Sequence, residues 1–73
     1  MNWDQIQGGW KQLTGQAKAQ WGKLTDDDLT VVDGRRDQLA GKIQERYGVT
    51  KENAEKQIGA WERKASDAWF SKK

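Results

Sequence analysis

The chain contains no cysteine, no histidine and no proline. Without cysteine there are no disulfides and no thiol nucleophile, and nothing demands an oxidising compartment. Without histidine there is no imidazole base or ligand, and the side chain that titrates most readily near neutral pH is missing. Without proline no helix is interrupted by a ring that cannot donate its N–H. Long apolar runs are also missing, and nothing approaches the roughly 20 residues of a membrane span. The first ten residues have neither the basic start nor the apolar stretch of a secretory signal, so the expected location is the cytoplasm.

What remains is a chain of 73 residues, 34% hydrophobic and 33% charged, with a mean hydropathy of −1.12. That composition alone leans towards disorder. Five tryptophans lean the other way, because each can bury a large apolar area. The length suits one domain near the lower limit for a self-supporting core. Net charge is +2. Residues 1–34 carry three Lys and five Asp, and the remainder carries ten basic and six acidic residues. This is a weak dipole, not the dense basic patch of a strong nucleic-acid binder.

Periodicity predicts helices. Trp3, Ile6, Trp10, Leu13, Ala17 and Trp21 recur at spacings of three and four and form one apolar stripe. Asn2 is positioned to cap this first helix, Gly8 and Gly9 weaken its start, and Gly22 stands where a C′ residue would end it. Thr25 then caps a short second helix, with Asp28 at N3 and Leu24 and Leu29 at the staple positions. Asp26, Asp27 and Asp28 suit the positive end of that helix. They lack the alternating ligand spacing of a calcium loop. Asp33-Gly34 is a turn signal. A third helix follows from about Arg35 to Tyr47, with Leu39, Ala40, Ile43 and Tyr47 inward and Arg35, Arg36, Lys42 and Arg46 outside.

Gly48 supplies a left-handed helix end, Val49 a staple to Ala54, and Thr50 the next cap, with Asn53 at N3. The fourth helix runs from Lys51 towards Phe70, with Ala54, Ile58, Trp61, Ala65 and Trp69 on its apolar stripe and a loose tail beyond. The run from Trp10 to Gly22 echoes the run from Arg36 to Gly48, with identities at Gln12/Gln38, Leu13/Leu39, Gly15/Gly41 and Gly22/Gly48. Two helix–corner–helix units follow from this echo. Gly15 and Gly41 lie inside helices, where glycine is costly, and are expected to mark close approach of another helix.

No catalytic constellation emerges. With histidine absent, a nucleophile has no imidazole to activate it, and abundant carboxylates on helices read as a solvated face. Phosphate-loop and dinucleotide patterns are absent. The corner from Gly48 to Ala54 is similar to the hairpin of helix-hairpin-helix DNA-binding modules, with Thr50 where those have a second glycine, and also to a loop of ubiquitin-associated domains. On that likeness Arg35, Arg36, Arg46, Gly48 and Lys51 are the candidate phosphate contacts. The tryptophans are expected chiefly in the core.

The runs Trp21-Gly-Lys-Leu-Thr-Asp-Asp-Asp-Leu29 and Gly34-Arg-Arg-Asp-Gln-Leu-Ala-Gly-Lys-Ile-Gln-Glu-Arg-Tyr-Gly48 resemble the CsbD-like family of small bacterial stress proteins. The resemblance implies a compact four-helix domain, a bacterial cytosol and induction under general stress, but no molecular activity and no site residues. The expectation is therefore an all-α domain spanning residues 1–73, with two crossed α-hairpins in a SAM-like or helix-hairpin-helix-like arrangement. Its expected function is non-enzymatic stress response as a monomer, with no cofactor and no small-molecule substrate. A hydrophilic protectant, a weak nucleic-acid-binding module and a protein-binding adaptor are the mechanisms in view.

Overall fold

In the computed structural model, residues 3–70 form five helices, with side chains described as far as Ala65. These are α1 (Trp3–Gly8), α2 (Trp10–Gln20), α3 (Asp26–Val32), α4 (Arg36–Tyr47) and α5 (Lys51–Phe70). Strands are absent among the described residues. The expected Asn2 cap, the tail at 71–73 and the packing of Trp69 lie outside the described parts.

The first apolar stripe is continuous, but the helix that carries it is not. Gly9, at φ −103° and ψ 20°, separates α1 from α2 and caps α2 without a side-chain hydrogen bond. Two successive residues without a Cβ lower the cost of leaving the helical path, so the weak start expected from Gly8-Gly9 becomes a break. Ile6, Trp10, Leu13, Ala17 and Trp21 are all buried, and Trp3 is half-buried against them.

The corners follow local chemistry. Thr25 and Asp28 form a full capping box: the Asp28 N–H donates to Thr25 Oγ1 at 3.0 Å and the Thr25 N–H donates to Asp28 Oδ2 at 3.0 Å. Asp33 (φ 49°) and Gly34 (φ 79°) turn the chain from α3 into α4 in two left-handed steps. Gly48 ends α4 at φ 67°, and Thr50 accepts the Asn53 N–H at 3.1 Å. Gly22 does not repeat the role of Gly48. Trp21 closes α2 at φ −121°, and Gly22 is not among the left-handed glycines.

Gly15 and Gly41 correct the sequence reading. Both are exposed, and a Cβ built at either would meet nothing within 4 Å. Each lies two residues from core positions on either side, Leu13 and Ala17 for one, Leu39 and Ile43 for the other. Two residues are about 200° of helical rotation, which is the face opposite the core. Gly15→Ala and Gly41→Ala should therefore each stabilise the protein by about 0.5–1 kcal/mol. Urea denaturation checks this, and a loss of stability at either position would reveal a hidden contact.

The core is one cluster to which all five helices contribute. The packing of α5 on α4 is the most extensive, followed by α4 on α3. Trp61 of α5 is its hub: the rings of Trp21, Trp3 and Trp10 lie at 5.4, 6.2 and 6.4 Å from it, tilted or edge-on, which is the geometry aromatic quadrupoles favour. The indole N–H groups of Trp10 and Trp21 find partners across the fold. Trp10 donates to the Leu29 carbonyl at 3.0 Å, and Trp21 donates to Gln57 Oε1 at 3.0 Å.

Candidate functional site

Two clusters of charged residues are anchored in the fold, each built around an internal partner. In the first, Asp28 of the α3 capping box is almost fully buried. Arg46, on the last turn of α4, forks onto it, Nε to Oδ2 at 2.9 Å and Nη2 to Oδ1 at 3.1 Å. Lys42, one turn earlier, reaches Asp28 Oδ1 at 3.5 Å and Glu45 at 3.6 Å. Asp28 thus accepts from a guanidinium and a backbone amide, the arrangement that most favours a carboxylate. The Arg46 hydrogen bond, then the Thr25 N–H, then the charges of Arg46 and Lys42 hold its pKa well below the ordinary 3.8, against the opposing effect of burial.

This cluster joins α3 to α4 and fixes the helix start at the same time. The expected role of Asp28 as a cap is correct, but its second role is long-range. A signal for it was present: Lys42 and Arg46 are four apart and so share one helix face. Two cations on one face are a reason to seek a buried acid on another element.

A depressed carboxylate pKa has a definite consequence. The ionised form is favoured in the folded state, so its contribution is fully present above the unfolded value, 3.8, and is lost as pH falls through the lowered folded value. Asp28→Asn should lower the melting temperature at neutral pH several times more than Asp27→Asn, whose residue is exposed. It should also flatten the fall in stability that the native protein shows below about pH 4. Thermal melts across acidic pH test both statements, and parallel curves for the two proteins would contradict the assignment.

The second cluster lies at the opposite end of α4. Arg36 Nη1 donates to Glu62 Oε1 at 2.9 Å, and its guanidinium sits 5.6 Å from the centre of the Trp3 ring. Trp3 in turn donates its indole N–H to the Gly34 carbonyl at 2.6 Å. Arg36 therefore ties α4, α5 and α1 together.

The five phosphate-contact candidates are thus distributed, not gathered. Arg35 and Arg36 start α4 while Arg46 and Gly48 finish it, and ten residues of helix are about 15 Å. Arg36 and Arg46 are engaged as described. Arg35 and Lys51 are exposed, and Gly48 is exposed at the α4–α5 corner. At that corner Thr50 already accepts the Asn53 amide, one of the donors a phosphate would otherwise meet. Lys42 and Arg36 are likewise anchored into the fold and are not loose decoration on the outside of α4.

An open groove of about 400 Å³ runs between α2 and α3, with Trp10 and Leu29 at its floor, Lys11 and Lys18 on one wall and Asp26 and Asp33 on the other. Lys18 approaches Asp26 across it at 3.5 Å. No group of three or more acids that could hold a metal ion occurs among the described residues.

The CsbD-like family model matches residues 4–56, from α1 through the first turns of α5. The chain belongs to the CsbD-like family. It is 56% identical to the UPF0337 protein YjbJ of Escherichia coli over 94% of its own length and the whole of that relative. A UPF0337 protein of Pectobacterium atrosepticum is 68% identical over 85% of this chain and 90% of its own. Another, from Bordetella pertussis, is 60% identical over 80% and 88% respectively. The CsbD-like match covers both charged clusters except for Trp3 of α1 and Glu62 of α5. Among the described residues no helix is long and apolar enough to cross a membrane.

Proposed function

We propose that this CsbD-like protein is a non-enzymatic, cytoplasmic stress-response protein that works as a monomer and protects other macromolecules through its hydrophilic surface. The observation that supports this is how the side chains are used. Trp10, Trp21 and Trp61, with Asp28, Arg36 and Arg46, serve the interior and its ties, and among the described residues only Val31 is a large hydrophobic left exposed. The remaining surface is charged and polar. Such a surface stays hydrated and resists association, so it can separate denaturing neighbours without binding any of them. The stress role rests on the family resemblance. We place the whole chain in one domain, 1–73, with the helices grouped as two crossed α-hairpins of SAM-like type.

The test is to dry a labile enzyme with this protein or with an equal mass of serum albumin and to assay it after rehydration. More activity should survive with the CsbD-like protein. Equal recovery would remove the protectant reading.

The alternative is a weak nucleic-acid-binding module at the Gly48 corner, favoured by the exposed Lys51 at the start of α5. Acidic Glu52 and Glu55 stand beside it, so we expect dissociation constants no tighter than the ~10⁻⁴ M end of non-specific binding at physiological salt. Fluorescence anisotropy with a short duplex and a single strand measures this. Micromolar binding lost in Lys51→Glu and kept in Arg35→Glu would establish the module at that corner; Lys51 is a better probe than Arg46, whose change would break the Asp28 pair. An adaptor that docks through an exposed tryptophan is less well supported among the described side chains, where Trp10, Trp21 and Trp61 are buried and Trp3 is half-buried.

A further inference from the structure

We infer that α1 is a latch, which undocks as a unit while α2–α5 stay folded and thereby uncovers the apolar seat beside Trp61. The helix has six residues, too few to be stable alone in water. Its shape therefore depends on docking. Its link to the rest is Gly8-Gly9, and Gly9 has left the helical path. The first hydrogen bonds of α2, from the Gln12 and Leu13 N–H groups to the Gly9 carbonyl at 2.9 and 3.1 Å, begin at the far end of that link. Removal of α1 therefore costs α2 none of its own ladder.

The docking contacts of α1 reach α2 beside it and the α3–α4 turn, α4 and α5 far along the chain. Ile6 is fully buried. Trp3 donates to the Gly34 carbonyl at 2.6 Å, lies under Arg36 and packs its ring 6.2 Å from that of Trp61. The Gly34 position is so close to the backbone of Gln7 that a Cβ there would stand 2.9 Å from Gln7 Cα. These contacts are lost together when α1 lifts, and none of them holds α2, α3, α4 and α5 to one another except through the shared core. A six-residue segment joined through a glycine link opens below the free energy of global unfolding. Lifting α1 exposes the seat of Ile6 and one side of Trp61, on a protein whose closed surface is polar.

Three hydrogen-bonded protons of the full-length protein report on this. The Trp3 indole N–H bonds Gly34, the Gly9 amide bonds the Gln5 carbonyl at 3.0 Å, and the Trp10 indole N–H joins α2 to α3. Hydrogen exchange by NMR, at rising urea below the unfolding transition, should give the first two a shared rate, about tenfold or more above that of Trp10. Their urea dependence should be shallower than that of Trp10 but not zero, because opening exposes surface. Ile43→Val, a core change on α4 that leaves the contacts of α1 in place, should accelerate the Trp10 indole and leave the Gly9 amide unchanged, because Ile43 stays packed when α1 lifts. Rates for Trp3 and Gly9 that match Trp10 would overturn the latch, as would a urea-independent Gly9 amide or an Ile43→Val protein in which all these protons accelerate alike.

Discussion

Trp61→Ala should leave the chain largely unfolded in dilute buffer at neutral pH. Truncation of a buried tryptophan costs about 3–5 kcal/mol, and a domain of this size typically has only ~3–5 kcal/mol of net stability. Trp61 is 4% exposed and carries ring contacts to Trp3, Trp10 and Trp21, so its loss empties the point where α1, α2 and α5 meet. Neighbouring helices cannot collapse into that space without losing the indole hydrogen bonds of Trp10 and Trp21. Circular dichroism should show the helical signal of the native protein reduced towards coil, with Trp61→Phe intermediate because it keeps a ring in place. A Trp61→Ala protein that melts cooperatively near the native temperature would show that the aromatic cluster is not the centre of the fold.

Gly34→Ala should be the most damaging of the single glycine changes. Two effects act at that position and only one acts at Gly48. Both residues have left-handed φ, 79° and 67°, and strain of that kind costs about 1–3 kcal/mol. At Gly48 a Cβ would meet open space, whereas at Gly34 it would meet Gln7 Cα at 2.9 Å and Gln7 O at 3.1 Å. Backbone cannot rotate away as a flexible side chain can, so overpacking adds about 1–3 kcal/mol. The order of loss in urea denaturation should therefore be Gly34→Ala, then Gly48→Ala, with Gly15→Ala and Gly41→Ala on the stabilising side. Equal losses at Gly34 and Gly48 would mean that α1 does not pack against the α3–α4 turn.

The four glycines show which parts of the fold were legible in the sequence. Gly48 was, because a helix end between Tyr47 and a Thr50 cap is local chemistry. The corner at Thr25 was legible for the same reason, and the buried stripes were legible because helical period sets which residues share a face. Gly15 and Gly41 were misread, although their half-turn offset from Leu13 and Leu39 already placed them on the outside. The true close approach is at Gly34, which the sequence marks only as a turn. It depends on Gln7, far away along the chain, and no local pattern announces such a pairing.

The same limit applies to the charged residues. Arg36 and Arg46 look like free cations on the surface of α4 until Glu62 and Asp28 are brought to them by the packing of α5 and α3. The candidate phosphate set was built from residue type and proximity to a corner, and helix length then separates it into two ends. The halved first helix has a different cause. The glycine pair was recognised as weak, but whether a weak point frays or breaks is decided by what the detached segment can dock against, here Gly34, Arg36 and Trp61.

A surface that protects without a site can be tested most directly by exchanging its exposed cations for one another. At a site that holds a ligand in fixed geometry, Lys and Arg are not equivalent; on a merely hydrated surface they are. A protein carrying Lys11→Arg, Lys51→Arg, Lys64→Arg and Arg35→Lys, all exposed positions, should keep its helical spectrum and protect a drying enzyme as well as the native protein does. Loss of protection with the fold intact would contradict a siteless surface and place the activity at one of those four residues.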